Sequence, residues 1–145
     1  MPAVITEVQT AMVTLLNGGT FTPALSTVAR KYLPLYTLKD LQALTTTIVP
    51  KSSISKRVSR GQRLIDYEIH VAVQLAVQPD DIDTLDELTL LMESIEDFLF
   101  DNPIPLAVPI KPDEVANDPI YDQKKLHEEG IFLSLLTATY RLGFE

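Results

Sequence analysis

From Ile65 to Val77 the chain alternates without a break. Ile65, Tyr67, Ile69, Val71, Val73, Leu75 and Val77 are apolar, while Asp66, Glu68, His70, Ala72, Gln74 and Ala76 lie between them. A period of two puts the first set on one face of a β-strand and the second set on the other. Thirteen residues at about 3.3 Å each span roughly 43 Å, against a usual strand of five or six residues. The second face changes character along its length. Its charged end, Asp66 and Glu68, belongs in water. Its alanine end, Ala72 and Ala76, predicts close cover by a helix or another subunit.

The remaining elements are placed around this strand. Val4, Val8, Met12, Leu15 and Leu16 recur at helical spacing over residues 4 to 16, and Gly18-Gly19 supply a stop. Residues 20 to 23 read as a turn, 24 to 32 as a strand candidate, and 36 to 41 as a bend or single helical turn after Pro34. "LTTTIV", 44 to 49, is rich in β-branched residues and is expected to end as a strand at Pro50. Residues 81 to 100 form a second helix, with Leu85, Leu88, Leu91, Met92, Ile95, Phe98 and Leu99 on one stripe and Asp83 or Thr84 at its start. The four prolines of "DNPIPLAVPIKP", 101 to 112, predict an extended or looped segment. Residues 119 to 130 are compatible with a helical turn or a loop. "IFLSLLTATYRL", 131 to 142, has a pattern that fits helix or strand, and is read as a strand for its Thr, Phe and Tyr and the following Gly143. Strands clustered between helices predict an α+β fold: a mainly antiparallel sheet with a long β-hairpin, flanked by two main helices on one face. Residues 1 to 145 make one domain, with a projecting hairpin tip at about 50 to 63.

The net charge is −8, but it is distributed in blocks. Lys51, Lys56, Arg57, Arg60 and Arg63 lie in a segment with no acid. Asp80, Asp81, Asp83, Asp86, Glu87, Glu93, Glu96, Asp97 and Asp101 lie in a segment with no base. The arrangement predicts two surfaces of opposite sign on one molecule, and the acidic total argues against nucleic-acid binding through the whole surface. With no cysteine, disulfides, thiolate metal sites and cysteine catalysis are excluded. No apolar run reaches the ~20 residues of a membrane span. The start "MPAVITEVQTAMVTLL" has no basic flank and carries Glu7, a poor signal peptide, so a soluble protein made where it works is expected.

No catalytic constellation emerges. His70 sits on the polar strand face beside Glu68, where a surface or interface role is expected. "HEEG" at 127 to 130 lacks the second histidine of a zinc-protease helix, with Ile131 in its place. "DDIDTLDE" lacks the glycine a calcium loop needs and leads into a helix. "NGGTF" and "RGQR" match no phosphate-loop pattern, and no nucleophile elbow occurs. The expectation is a protein that is not an enzyme and uses no cofactor or metal.

The hairpin then becomes the informative feature. A connection from Pro50 to Gln62 is long for a tip, carries four positive charges, with Arg63 next to it, and four serines, and has only Ile54 and Val58 as isolated apolar residues. It cannot build its own core and is expected to be mobile in a monomer. A compact domain of this length is about 30 Å across, so part of the strand or its tip overhangs the body. Cover from another chain follows, with a basic tip on a neighbour's acidic helix as a head-to-tail contact of the kind that closes into rings.

The ordered set "YLP" at 32 to 34, "LKDL" at 38 to 41, "TTIVP" at 46 to 50, "SRGQRLIDYEIHVAVQ" at 59 to 74, the amphipathic helix 84 to 100 and the closing "IFLSLLTATYR" at 131 to 141 resembles the tail terminator proteins of long-tailed phages. These are also called tail-completion or minor tail proteins. The resemblance implies a homo-oligomeric ring, normally a hexamer, that caps the tail tube, stops its growth and joins it to the head-side connector or stopper protein. It implies no catalytic residues, no membrane, no specific nucleic acid although DNA passes through the ring, and a place in the virion tail or neck after assembly in the host cytoplasm. On that basis Lys51, Lys56, Arg57, Arg60 and Arg63 are the candidate contacts with tube and neighbouring subunits. Asp80, Asp81, Asp83, Asp86 and Glu87 are the acidic counter-surface, and 103 to 112 is a second, weaker surface. The alternatives are another neck or head–tail connector ring protein, and a small nucleic-acid-associated protein using the basic tip.

Overall fold

The computed structural model describes residues 3–25, 28–33, 36, 39–118 and 120–144. It contains α1 (Val4–Asn17), β1 (Val28–Arg30), a 3-10 turn (Asp40–Gln42), β2 (Thr45–Ser59), β3 (Gln62–Ala76), α2 (Ile82–Asp101), β4 (Glu114–Asn117), α3 (Gln123–Glu129) and β5 (Ile131–Phe144). The five strands form one sheet in the order β1-β2-β3-β5-β4. Every pairing is antiparallel except β1 with β2. This is the α+β fold, with its mostly antiparallel sheet, that the clustering of strand signals between helix signals implies.

The long strand is central. β3 has β2 along one side and β5 along the other, and β5 stays in register with it from Ala76↔Ile131 to Arg63↔Phe144. Its odd face is the apolar one. Ile69, Val71 and Val73 are fully buried there with Ile48 of β2 and Leu136, Ala138 and Tyr140 of β5. Onto this face α1 brings Val8, Ala11, Met12 and Leu16, and α2 brings Leu88, Leu91, Met92, Ile95 and Leu99. The two main helices thus share one face, α1 over β1 and β2, α2 over β4 and β5. Phe21 after α1 meets Phe98 of α2 edge to face, with ring centroids 5.1 Å apart.

The alanine end of the even face is covered by the chain itself. Leu41, on the 3-10 turn, is buried against β3, and Tyr36 hydroxyl lies 2.7 Å from Thr47 Oγ1, beside Ala72 in register. No second subunit is needed at that point. The strand expected over 24 to 32 is observed only as Val28–Arg30, with Ser26 and Thr27 outside the described residues. Of the segment 36 to 41, Thr37 and Leu38 also lie outside them, as does Pro34.

Local chemistry explains two shifts in the helices. α2 is capped by Asp81, not by Asp83 or Thr84. Asp81 accepts from the Thr84 amide at 3.3 Å and from Thr84 Oγ1 at 2.8 Å. The open segment before β5 contains α3, capped by Asp122, which accepts from the Lys125 amide. α3 ends at Gly130, whose φ of +66° is left-handed and suits a residue without a Cβ. β4 has no counterpart in the sequence reading, because four residues at a sheet edge carry too little pattern to register.

Ile95→Ala, at a fully buried α2 position, is expected to lower unfolding free energy by about 2–5 kcal/mol in denaturant titrations. Leu90→Ala, one helical face away and 62% exposed, should change it by less than about 0.5 kcal/mol.

Candidate interaction surface

The segment expected to be a mobile tip of about thirteen residues is a β-ribbon instead. β2 continues through Pro50 to Ser59, and β3 begins at Gln62. Only Arg60 and Gly61 are left to turn the chain, and Gly61 takes φ +83°, a value that L side chains rarely adopt. Pro50 does not end the strand because it sits where β2 has become an edge. β1 stops at Arg30, opposite Ile48, and an edge strand tolerates a missing N–H. The register slips between Pro50 and Ser52, so Lys51 is the extra residue of a bulge.

That bulge decides which side chains share a face. Before it, Thr46, Ile48 and Pro50 lie with the odd residues of β3. After it, Ser53, Ser55 and Arg57 do so, opposite Tyr67, Ile65 and Arg63. On the outer edge of β5, β4 pairs no further than Glu114↔Thr139, and the Asp113 amide donates to Thr139 carbonyl at 2.8 Å. Beyond the body the sheet therefore narrows to three strands with two open edges. All residues from Ser53 to Arg63 are exposed, including Ile54 (48%) and Val58 (59%).

The five basic residues do not form one patch. Lys51 is committed to Glu68, 3.1 Å away at the ribbon's root. Lys56 stands opposite Leu64 on the even face. Arg57 and Arg63 face each other directly across the strands on the odd face, with Arg63 5.7 Å from the Phe144 ring centroid. Arg60 is at the turn. Like charges directly opposite destabilise a strand pair, so the Arg57–Arg63 pairing is not there for local stability. Among the described residues no carboxylate forms an ion pair with Lys56, Arg57, Arg60 or Arg63. Ser55, Lys56, Arg57, Gly61, Gln62 and Arg63 line an open concavity of about 420 Å³.

The ribbon's root is pinned by charge. Arg141 of β5 holds Asp66 of β3 through two hydrogen bonds, Nε to Oδ1 at 2.8 Å and Nη2 to Oδ2 at 3.1 Å, and reaches Asp113 at 3.5 Å. The Arg141 hydrogen bonds hold Asp66 below the usual carboxylate range. Lys51, helped by Ser52 Oγ at 3.1 Å, does the same for Glu68. His70 is half-buried, with Nδ1 3.1 Å from Thr137 Oγ1. Burial, then the Lys51 charge, depresses its pKa despite Glu68. His70, expected in a surface or interface role, is thus half-buried in the sheet beside Thr137. The Arg141–Asp66 clamp and Phe144 were invisible to sequence reasoning, since their partners are about 75 residues away and only the β3–β5 register aligns them.

On α2 the acids Asp83, Asp86, Glu87, Glu93, Asp97 and Asp101 are exposed, while Glu96 is half-buried and Asp81 is occupied as the cap. Asp80 is exposed in the turn before the helix. The same solvent face carries the exposed apolar residues Ile82, Leu90 and Phe100. The proline-rich segment closes on itself through the Ile104 amide to Ile110 carbonyl bond at 2.8 Å. Its Leu106, Ala107, Val108 and Ile110 line a groove of about 430 Å³ with Val4, Val8 and Leu142. Among the described residues no helix is long and apolar enough to cross a membrane, and no three His, Asp or Glu side chains are grouped as a metal ion would need.

No family model and no curated protein sequence matches the chain. Among solved structures it is similar to the sheath/tube terminator of an extracellular contractile injection system, PVC, in its extended state. The identity is 14%, the TM-score 0.47, and the match covers 98% of this chain and 58% of that one. The chain therefore spans little more than half the length of that protein, and a likeness at this TM-score carries no functional weight.

The His70 environment generates a pH dependence with a defined sign. A pKa lowered by folding means the folded state prefers neutral His70. Stability is then full above the ordinary value near 6.5 and falls as pH drops through the lower folded value. The melting midpoint should decline as pH falls below about 6.5, and His70→Gln should flatten that decline. Asp66 and Glu68 should add a second loss below about pH 4, which the histidine variant keeps.

Proposed function

We propose that the chain is a tail terminator that assembles as a ring, a hexamer, capping a tail tube and joining it to the head-side connector. The observation that supports this reading is the ribbon. A three-stranded extension has two open edges, is exposed on both faces from Ser53 to Arg63, and carries cations that form no ion pair among the described residues, which suits a surface for other chains. Natural proteins blunt open edges with lysine, bulges and turns, and here the bulge at Lys51 and the charges at Lys56 and Arg57 keep the ribbon soluble until it is used. Contact with tube and neighbouring copies is that use. The proline-rich groove beside the ribbon's root is a second contact surface.

In this reading the protein is not an enzyme, binds no cofactor, and belongs to the virion tail or neck after assembly in the host cytoplasm. DNA passes through the ring without being read. The ordered sequence resemblance to tail terminators supports the assignment over a small-molecule site, for which the sequence carries no catalytic motif.

Light scattering and negative-stain micrographs of the purified chain test the proposal, with and without tail tube. Six-copy rings, stabilised by tube, are the expected result. A monomer at every concentration, tube present or absent, would refute it. Rings that ignore the tube and bind only the connector would assign the chain to a different neck position.

A further inference from the structure

The two charge arrays on this molecule do not meet, and among the described residues neither is closed by ion pairs within the subunit. The cations of the ribbon beyond Lys51 pair with no acid among the described residues, and neither do the exposed acids of α2 pair with a base. α2 packs over β4 and β5 on the body, while the cations sit on the far part of β2, the turn and the start of β3. Resting on the oligomeric reading above, we propose that the ribbon of one copy docks lengthwise on the solvent face of α2 of the next copy.

Three observations carry this. The first is charge: Lys56, Arg57, Arg60 and Arg63 on one side, and Asp86, Glu93 and Asp97 on the other. The second is that each array contains exposed apolar residues, Ile54 and Val58 in the ribbon, Ile82, Leu90 and Phe100 on the helix. A surface built for phosphate or for water alone gains nothing from them, whereas a protein interface uses an apolar centre with charges around it. Positions 86, 90, 93, 97 and 100 recur at helical spacing, so acids and apolar residues share a single stripe. The third is size. Residues 54 to 60 extend roughly 20 Å as a strand, and the 20 residues of α2 extend about 30 Å, so the ribbon fits within the helix length.

Because the ribbon and the helix face are different patches, the contact is heterologous. Each copy offers a ribbon to one neighbour and a helix to the other, which builds a ring when the rotation closes. The charges set register and speed encounter, and the apolar residues bury at the centre.

A charge-swap experiment on the full chain decides it. Arg57→Glu with Arg60→Glu reverses the ribbon, and Asp86→Lys with Glu93→Lys reverses the helix. All four positions are exposed, so melting midpoints should match the wild type. If the ribbon reversal perturbs folding, Arg57→Gln with Arg60→Gln replaces it for the loss-of-association arm. In sedimentation at about 0.1 M salt, where screening acts over ~10 Å, each double variant alone should associate at least tenfold more weakly. An equimolar mixture of the two reversed variants should recover wild-type assembly, because each reversed ribbon then finds a reversed helix and copies alternate around an even ring. If the wild type assembles while either folded variant associates as tightly, or if the mixture of charge-reversed variants stays apart, the docking surface is wrong and the ring reading survives. A DNA duplex that binds the ribbon without competing with assembly would also overturn it. A wild type that never assembles would instead remove the reading on which the proposal rests.

Discussion

The structure depends on the ladder that β3 makes with both neighbours. Because side chains alternate with a period of two, one residue of slip would move Ile69, Val71 and Val73 to the polar face and bring Glu68 and His70 under the helices. The apolar stripe of α2 and that of α1 have no other surface on which to bury their leucines and methionines. Holding β3 in register therefore holds the core, the helix positions and everything beyond them. Arg141 on Asp66 and Lys51 on Glu68 secure the same register where the core ends and the sheet leaves the body.

The ribbon follows from that register. β5 continues beside β3 to Phe144, so the far half of β3 is paired on both sides and Ile65 and Tyr67 are buried without help from another chain. The long strand is not what lacks cover. The shortfall sits further out, on the faces of β2 beyond the bulge and at the turn. There the chain exposes Ile54 and Val58 among cations that form no ion pair with a carboxylate among the described residues. The bulge at Lys51 matters twice, since it detaches one lysine to pin Glu68 and shifts Arg57 onto the face of Arg63. A basic loop would have spread its charge over many conformations. A ribbon presents it at fixed spacing, which is what a partner of fixed shape can use.

Legibility tracked the range of the interactions involved. The two main helices and the long strand were readable because each carries its own periodicity over a dozen or more residues, and the closing strand because Thr, Phe and Tyr before Gly143 favour an extended chain. β1 and β4, three and four residues long at the sheet edges, carry none. Pro50 misled because proline ends strands in sheet interiors, while here it lies at an edge that exists only because β1 is short. The basic side chains were found by composition alone, but their division between two faces, and the removal of Lys51 to Glu68, depend on a one-residue bulge with no sequence signature.

What the sequence by itself determined was amphipathicity: which face of β3 and which stripe of α2 must be buried, and that opposite charges occupy separate segments. Those properties are local, written in residues within a few positions of one another. Only the tertiary structure decided whether residues 51 to 60 are loop or strand. Their intrinsic preference is weak, and the hydrogen bonds that order them come from β3, itself held in place by β5 from the other end of the chain.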